Sequence, residues 1–329
     1  METMKLTFVN VGYGEAIVAE CPDEKCRDGR FVMVIDGGSG EAGEYADRAS
    51  GRQTLLEYLE STDIRQIDCM VNTHIHEDHI CGLLPVAERY APAELWQTLP
   101  VDFFQRNMHI LDDSQARNDS QRKFMRALND YQRLCDLVVR RGGAVRCLQA
   151  GQTLRLCQGL SCQVLAPSAQ SADELESRCC DQFAERDIEA FFKKLDALDA
   201  RMNNFSMILR LDYGGTGALL PGDTNRAGYG QIDPAALRAD LFKIGHHGQK
   251  DGADAALLAA VRPRAVVCCA SSDRRYNSAH PDALALVRSA GAELYFSDRP
   301  QVPGFTDGVP PHGAVRFSMG NGTICAEYL

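Results

Sequence analysis

The run Thr73-His74-Ile75-His76-Glu77-Asp78-His79 constrains this chain more than any other feature. It sets three imidazoles, with the Asp78 carboxylate among them, within six residues of a chain that holds eight histidines. Packing is a poor explanation for such a cluster, because ionisable groups leave water at a cost unless they are paired or bind a metal. The apolar stretch Ile67 to Val71 feeds directly into it and reads as a strand. A strand that ends in a tight loop can aim His74 and His76 at one cation. Asp78 and His79 can then face a second. Imidazole with carboxylate suits zinc, with iron or manganese as alternatives.

Two more places put ionisable groups where a strand stops. Asp223 closes the stretch Leu219-Leu220-Pro221-Gly222-Asp223, and a carboxylate there can bridge two cations, one oxygen to each. His246-His247-Gly248 follows the strand Leu241-Phe242-Lys243-Ile244, so one imidazole can complete a metal site and the other can reach substrate. His280-Pro281 is a weaker signal, since the proline alone marks a helix start. His109 and His312 carry no supporting pattern.

Around these residues, short alternating segments read as strands: Lys5 to Val11, Glu15 to Ala19, Phe31 to Ile35, Ala144 to Leu148, Thr153 to Leu156 and Ser161 to Leu165. Further strands follow at Phe205 to Leu211, Ala218 to Leu220, Leu241 to Ile244, Ala265 to Cys269, Glu293 to Phe296 and Ala314 to Phe317. Helical spacing appears at Gln53 to Leu59, Gly82 to Tyr90, Asp254 to Val261 and Pro281 to Ala290. It also runs through Pro100 to Gly142 and Ser171 to Asp199, the latter acidic on its second face as a solvated surface would be. Strands come first in each half, then strands mixed with helices. Two such halves imply an α/β chain with a layered αββα arrangement. We expect one domain over 1–329, with helical insertions at 97–143 and 168–202.

Composition narrows the function classes. The net charge of −10 argues against strong non-specific binding to nucleic acid, though a local basic cleft is compatible with it. The 13 cysteines are an odd number without a CxxC, which suits reduced thiols rather than a disulfide framework or a zinc finger. No apolar run reaches the length of a membrane span, and Met1 to Asn10 lacks a secretion-signal pattern. The expectation is a soluble, cytoplasmic protein with no membrane segment; its oligomeric state is open.

The ordered motifs resemble those of the metallo-β-lactamase superfamily, and in particular the hydrolase domain of the ComEC/Rec2-type competence proteins and their free-standing relatives. The resemblance rests on Val9-Asn10-Val11-Gly12-Tyr13-Gly14-Glu15-Ala16-Ile17, Ile35-Asp36-Gly37-Gly38, the histidine run through Gly82, Asn203-Asn204-Phe205-Ser206-Met207-Ile208-Leu209, Gly222-Asp223, Lys243-Ile244-Gly245-His246-His247-Gly248 and His280-Pro281. It covers nearly the whole chain apart from 97–143 and 168–202. Bacterial phosphorylcholine esterases share much of this layout.

That resemblance implies a four-layer αββα sandwich with two divalent metal ions. His74 and His76 would bind the first. Asp78, His79 and His247 would bind the second, with Asp223 between the two. His246 and His280 would touch the scissile group, Asp78 would orient the attacking hydroxide, and Asp36 would orient a ligand histidine. Many superfamily members place a third first-site histidine before the bridging aspartate. Here Asn203, Asn204, His109 or water would take that place. The start also departs, reading Asn-Val-Gly-Tyr-Gly-Glu where relatives often have Asp-Val-Gly-Gln-Gly-Asp.

Two dications a few ångströms apart lower the pKa of a bridging water, so hydroxide is available near neutral pH. No serine or cysteine nucleophile is needed, and no G-x-S-x-G is present. By analogy with the family, the expected reaction is hydrolysis of a phosphodiester, in a small molecule or a nucleic acid. The competing readings are hydrolysis of a thioester, lactone or β-lactam on the same fold, and a binding or regulatory protein without turnover.

Overall fold

Fifteen strands and nine α-helices form in the computed structural model, which describes residues 2–329. In chain order the strands begin β1 (Met4–Val9), β2 (Ile17–Pro22), β3 (Arg30–Ile35), β4 (Cys69–Val71), β5 (Glu94–Gln97), β6 (Ala144–Cys147), β7 (Thr153–Cys157) and β8 (Leu160–Ala166). They continue with β9 (Ile208–Tyr213), β10 (Thr216–Leu220), β11 (Leu241–Lys243), β12 (Ala265–Cys268), β13 (Glu293–Phe296), β14 (Ala314–Gly320) and β15 (Thr323–Tyr328). The helices are α1 (Leu55–Glu60), α2 (Glu77–Ile80), α3 (Leu83–Tyr90), α4 (Phe103–Arg106), α5 (Asp119–Arg140), α6 (Ala169–Ala184), α7 (Ile188–Asp199), α8 (Ala255–Val261) and α9 (Pro281–Ser289). One sheet runs β15-β14-β1-β2-β3-β4-β5-β6 and the other β13-β12-β11-β10-β9-β8-β7.

Side-chain alternation stacks these sheets. Along β2, Ile17, Ala19 and Cys21 point into the space between the sheets, where they meet Leu209, Leu211, Ala218, Leu220 and Val267. Val18 on the same strand, and Val32 and Val34 on β3, point the other way, onto a cluster shared with α1, α3 and α5. On the second sheet Leu219, Phe242, Val266 and Cys268 face outward onto α8 and α9. Three apolar interfaces therefore separate four layers, helices–sheet–sheet–helices, the αββα sandwich expected from the sequence. Each fully buried leucine, valine or phenylalanine contributes roughly 1.5–3 kcal/mol to it.

The pairing is antiparallel in one part of each sheet and parallel in the other: β3 to β6, and β10 to β13. Parallel neighbours need a crossover, and α5 provides it between β5 and β6, as α8 and α9 do between β11, β12 and β13. The stretch expected as one helix over Ser171 to Asp199 is two. Asp187 caps α7 by accepting from the Ala190 amide, which breaks the run after Ala184. Two strands have no counterpart in the sequence reading. The first, β5, holds only four residues with polar ends, and the second, β15, is a half-exposed edge. Among the described residues all thirteen cysteines are free, and no helix is long and apolar enough to cross a membrane.

Candidate metal centre

The functional candidates leave the carboxyl ends of strands at one rim of the sandwich, where open α/β sheets generally hold ligands. Asp36 follows β3, the histidine run follows β4, Asp223 follows β10 and His246-His247 follows β11. Asp36, His246 and His247 adopt left-handed backbone angles (φ 56°, 48° and 50°) without being glycine. Each costs about 1–3 kcal/mol, a strain that tends to collect at functional sites. The loop carrying Asp36 also needs a close backbone approach: a Cβ on Gly82 would stand 1.9 Å from the Gly37 carbonyl oxygen, so only glycine fits.

Each imidazole has one ring nitrogen engaged and the other directed to a common space. His79 Nδ1 lies 2.6 Å from Asp36 Oδ2, and His247 Nδ1 lies 2.8 Å from the Cys269 carbonyl. His74 Nδ1 sits 3.0 Å from Thr73 Oγ1, whose hydroxyl donates in turn to Asp36 Oδ2 at 2.6 Å. His76 Nε2 lies 3.1 Å from Asp199 Oδ1. The nitrogens left over are His74 Nε2 and His76 Nδ1, 3.1 Å apart, and the Nε2 atoms of His79 and His247. These last two are buried and make no hydrogen bond. Yet His247 Nε2 is 2.8 Å from Asp223 Oδ2 and 3.0 Å from Asp78 Oδ2, and His79 Nε2 is 3.4 and 3.8 Å from the same two atoms.

Asp78, His79, Asp223 and His247 thus bring one ligand atom each within 4.8 Å of one another. Orphaned buried ring nitrogens facing two carboxylates are the donor set a divalent cation of the zinc class takes. The residues fit a metal. A second grouping, Asp36 with His74 and His79, also meets that distance. The Asp36 oxygens are already occupied by the Thr73 amide, the Thr73 hydroxyl and His79, so Asp36 orients ligands rather than binding.

Charge in the cluster is balanced from behind. Lys243 is fully buried on β11, and its ammonium donates to the Gly222 carbonyl at 2.7 Å and to Asp223 Oδ1 at 3.1 Å while pairing with Glu15. Burial alone would lift the Asp223 carboxyl, but His247, Lys243 and His79 hold it well below the usual range. Burial would likewise depress the His247 imidazole, and Asp223 and Asp78 outweigh it, raising it to about 9. His74 is pushed down by burial and by its two histidine neighbours. The Asp223 and Asp78 carboxylates thus favour positive charge at the His79 and His247 rings, the charge a bound cation would supply.

His74, His76, Asp78, His79, Asp223 and His247 are all brought together. A cavity of about 360 Å³ opens beside them, lined by His76, Asp78, Asp223, His246 and Asn203, with Tyr13, Lys123, Arg275 and Tyr276 at its walls. His246 reaches it with Nδ1 held by Asp251 at 2.9 Å. His280 does not line it. Its backbone is tied to the Gly248 carbonyl, but its ring turns away and caps α9, Nδ1 accepting from the Asp282 amide at 3.2 Å. His109 is exposed and packs on Phe183, which removes it from the choices for the first site. Asn203 lines the cavity with an unpartnered buried Oδ1. Sequence reasoning missed Glu15, Lys243 and Asp199. A lysine at an inward-facing position of an apolar strand was a readable signal; an aspartate ending an acidic helix was not.

The rim of a four-layer αββα sandwich thus holds a candidate metal centre. Residues 26–143 match the model of the metallo-beta-lactamase superfamily. The match includes the histidine run and stops before Asp223 and His247. The chain is similar to ComE operon protein 3 of Bacillus subtilis (strain 168), 20% identical over 303 residues that make up 90% of this chain and 32% of that protein. It therefore spans about a third of the length of that relative. Among solved structures it is similar to zinc-bound PqqB from Methylobacterium extorquens (12% identity, 86% of this chain and 85% of that one, TM-score 0.44). A diphosphatase from the PhnP family is similar too (13% identity, 96% and 99% coverage, TM-score 0.41).

Proposed function

We propose that this protein hydrolyses a phosphodiester, in a small molecule or a nucleic acid, with two divalent metal ions of the zinc class. The observation that carries this reading is the convergence of the His79 and His247 Nε2 atoms on the Asp78 and Asp223 carboxylates, with every opposite ring nitrogen already held. His74 and His76 would hold the first ion and Asp78, His79 and His247 the second, with Asp223 offering an oxygen to each. When bound, the ions supply a deprotonated water near neutral pH and stabilise developing negative charge. Asp78, at the cavity wall, accepts a hydrogen bond from the attacking water and aims it. His246 lines the cavity beside the substrate, its Nδ1 held by Asp251 at 2.9 Å and its Nε2 3.1 Å from the Gln249 amide nitrogen.

The wall cations Lys123 and Arg275 are paired with Asp119 and with Glu44 and Asp273, so an anionic substrate would be drawn by the metal ions rather than by the walls. We read 1–329 as one domain in which the helical segments 97–143 and 168–202 cover the cleft and limit substrate size, since Ser120, Phe124 and Asp199 belong to its wall.

The test is zinc reconstitution followed by turnover of bis-p-nitrophenyl phosphate. The wild type should hold more than one equivalent and hydrolyse it. Asp78→Ala and His247→Ala should each stay folded and keep less than about a tenth of the activity, because each removes a ligand of the ion that generates the nucleophile. Faster turnover of a thioester or lactone panel would replace the phosphodiester reading, and metal near zero after reconstitution would end it.

A further inference from the structure

We propose that Asp199 is the positioning residue of the first metal site: it fixes the ring state of His76 and thereby sets how tightly that site holds its ion. This rests on the two-metal reading above. The argument starts from the 3.1 Å separation of His74 Nε2 and His76 Nδ1. Two neutral imidazoles can face each other there either as donor and acceptor or as two lone pairs. Only the second arrangement binds a metal. The partners on the far sides decide between them. His74 Nδ1 meets Thr73 Oγ1, whose own hydrogen goes to Asp36, so the oxygen accepts and His74 carries its proton on Nδ1. His76 Nε2 meets Asp199 Oδ1 at 3.1 Å, and a carboxylate only accepts, so His76 carries its proton on Nε2. Both facing nitrogens are then lone pairs aimed at one point.

Asp199 is not there for local reasons. It is the last residue of α7, where a carboxylate opposes the helix dipole. Its second oxygen accepts from Ser120 Oγ at 3.0 Å, at the start of α5, so two helices hold it in place. Thr73, Asp36 and the Cys269 carbonyl do the same work for His74, His79 and His247. Asp199 is the one such partner contributed by the helical segment 168–202. The first site has only two histidines, so the basicity of each weighs heavily in its affinity.

The test is a chelator-competition titration of metal-free protein with zinc, resolving the two equivalents, for wild type, Asp199→Ala, Asp199→Asn and His76→Ala. Removing a carboxylate that orients a ligand histidine weakens metal binding about 10–100-fold. Asp199→Ala should therefore weaken one equivalent by that factor and leave the other unchanged, matching in kind the equivalent that His76→Ala abolishes. Asp199→Asn keeps an acceptor of the same shape without the charge, and should fall between Ala and wild type. A urea midpoint on the metal-free variants shows that each is folded. If both equivalents bind Asp199→Ala as tightly as wild type, Asp199 is only a helix-end residue and the inference fails. Equal weakening of both equivalents overturns it as well, since that is the mark of a general structural defect. A wild type that binds fewer than two equivalents defeats the two-metal reading itself, before Asp199 enters.

Discussion

Replacing Lys243 with methionine keeps the length of the side chain and removes a cation buried behind the candidate metal centre. The ammonium has no exposure to solvent and lies among the Glu15 and Asp223 carboxylates and the Gly222 carbonyl. Without it, the buried Glu15 carboxylate loses its cation in metal-free protein, while Asp223 still faces His247 and His79. Breaking a buried pair by removing one partner costs about 3–5 kcal/mol, a large share of the ~5–15 kcal/mol by which domains are stable. Unfolding entropy of ~2.1 cal/mol/K per residue over 329 residues gives about 0.7 kcal/mol/K, so the melting temperature should fall by about 4–7 °C. The assay is thermal and urea unfolding in the presence of a strong chelator, which removes the contribution of bound metal. Glu15→Gln added to Lys243→Met removes one stranded charge and should recover part of the loss. A drop below about 1 kcal/mol for Lys243→Met, or a double variant weaker than the single one, refutes the reasoning that the lysine neutralises the Glu15 carboxylate.

Two further outcomes follow from the site. The His247 imidazole, raised from 6.5 to about 9 by Asp223 and Asp78, contributes stability to metal-free protein that is complete below about pH 6.5 and is lost as pH rises through about 9. Because zinc must displace that proton, apparent zinc affinity should climb by at least about tenfold per pH unit between 6.5 and 8.5, and a flat profile would show that no proton leaves. His280→Ala removes the cap of α9 and should cost about 0.5–2 kcal/mol of stability with turnover close to wild type; a hundredfold fall in kcat at unchanged melting temperature would put that ring on the substrate after all.

Much of the fold could be read from the sequence because alternation and apolar runs report directly on which face of a strand is buried. The candidate ligands could be read for a related reason: each stands where an apolar strand stops, so position along the chain already implied position at the rim. His74 to His79, Asp223 and His247 all obey this. What the sequence hid depends on contacts between distant elements. Lys243 meets Glu15 from 228 positions away (243 − 15), and neither spacing nor propensity marks that pairing. Asp199 lies on a helix whose acidic face looks like any solvated surface, and only the packing of α7 beside α5 turns it toward His76. His280 shows the reverse. Its backbone runs beside the His247 loop as the motif order implies, while a local capping bond holds its ring on α9.

The pairing of β1 with β14 bears on how the chain is made. Met4 to Val9 find their partners at Met319 to Ala314, on one side, and at β2 on the other. At roughly 5–20 residues per second, β14 leaves the ribosome on the order of 15–60 s after β1. For that interval an apolar strand keeps one edge of backbone donors and acceptors open, a template for pairing with a neighbouring chain. The histidine run emerges in the same interval, long before Asp223 and His247. Shielding by a holding chaperone during synthesis, and metal supplied after release rather than before, should therefore decide the yield of active protein, and a chain ending before residue 314 should be recovered as aggregate.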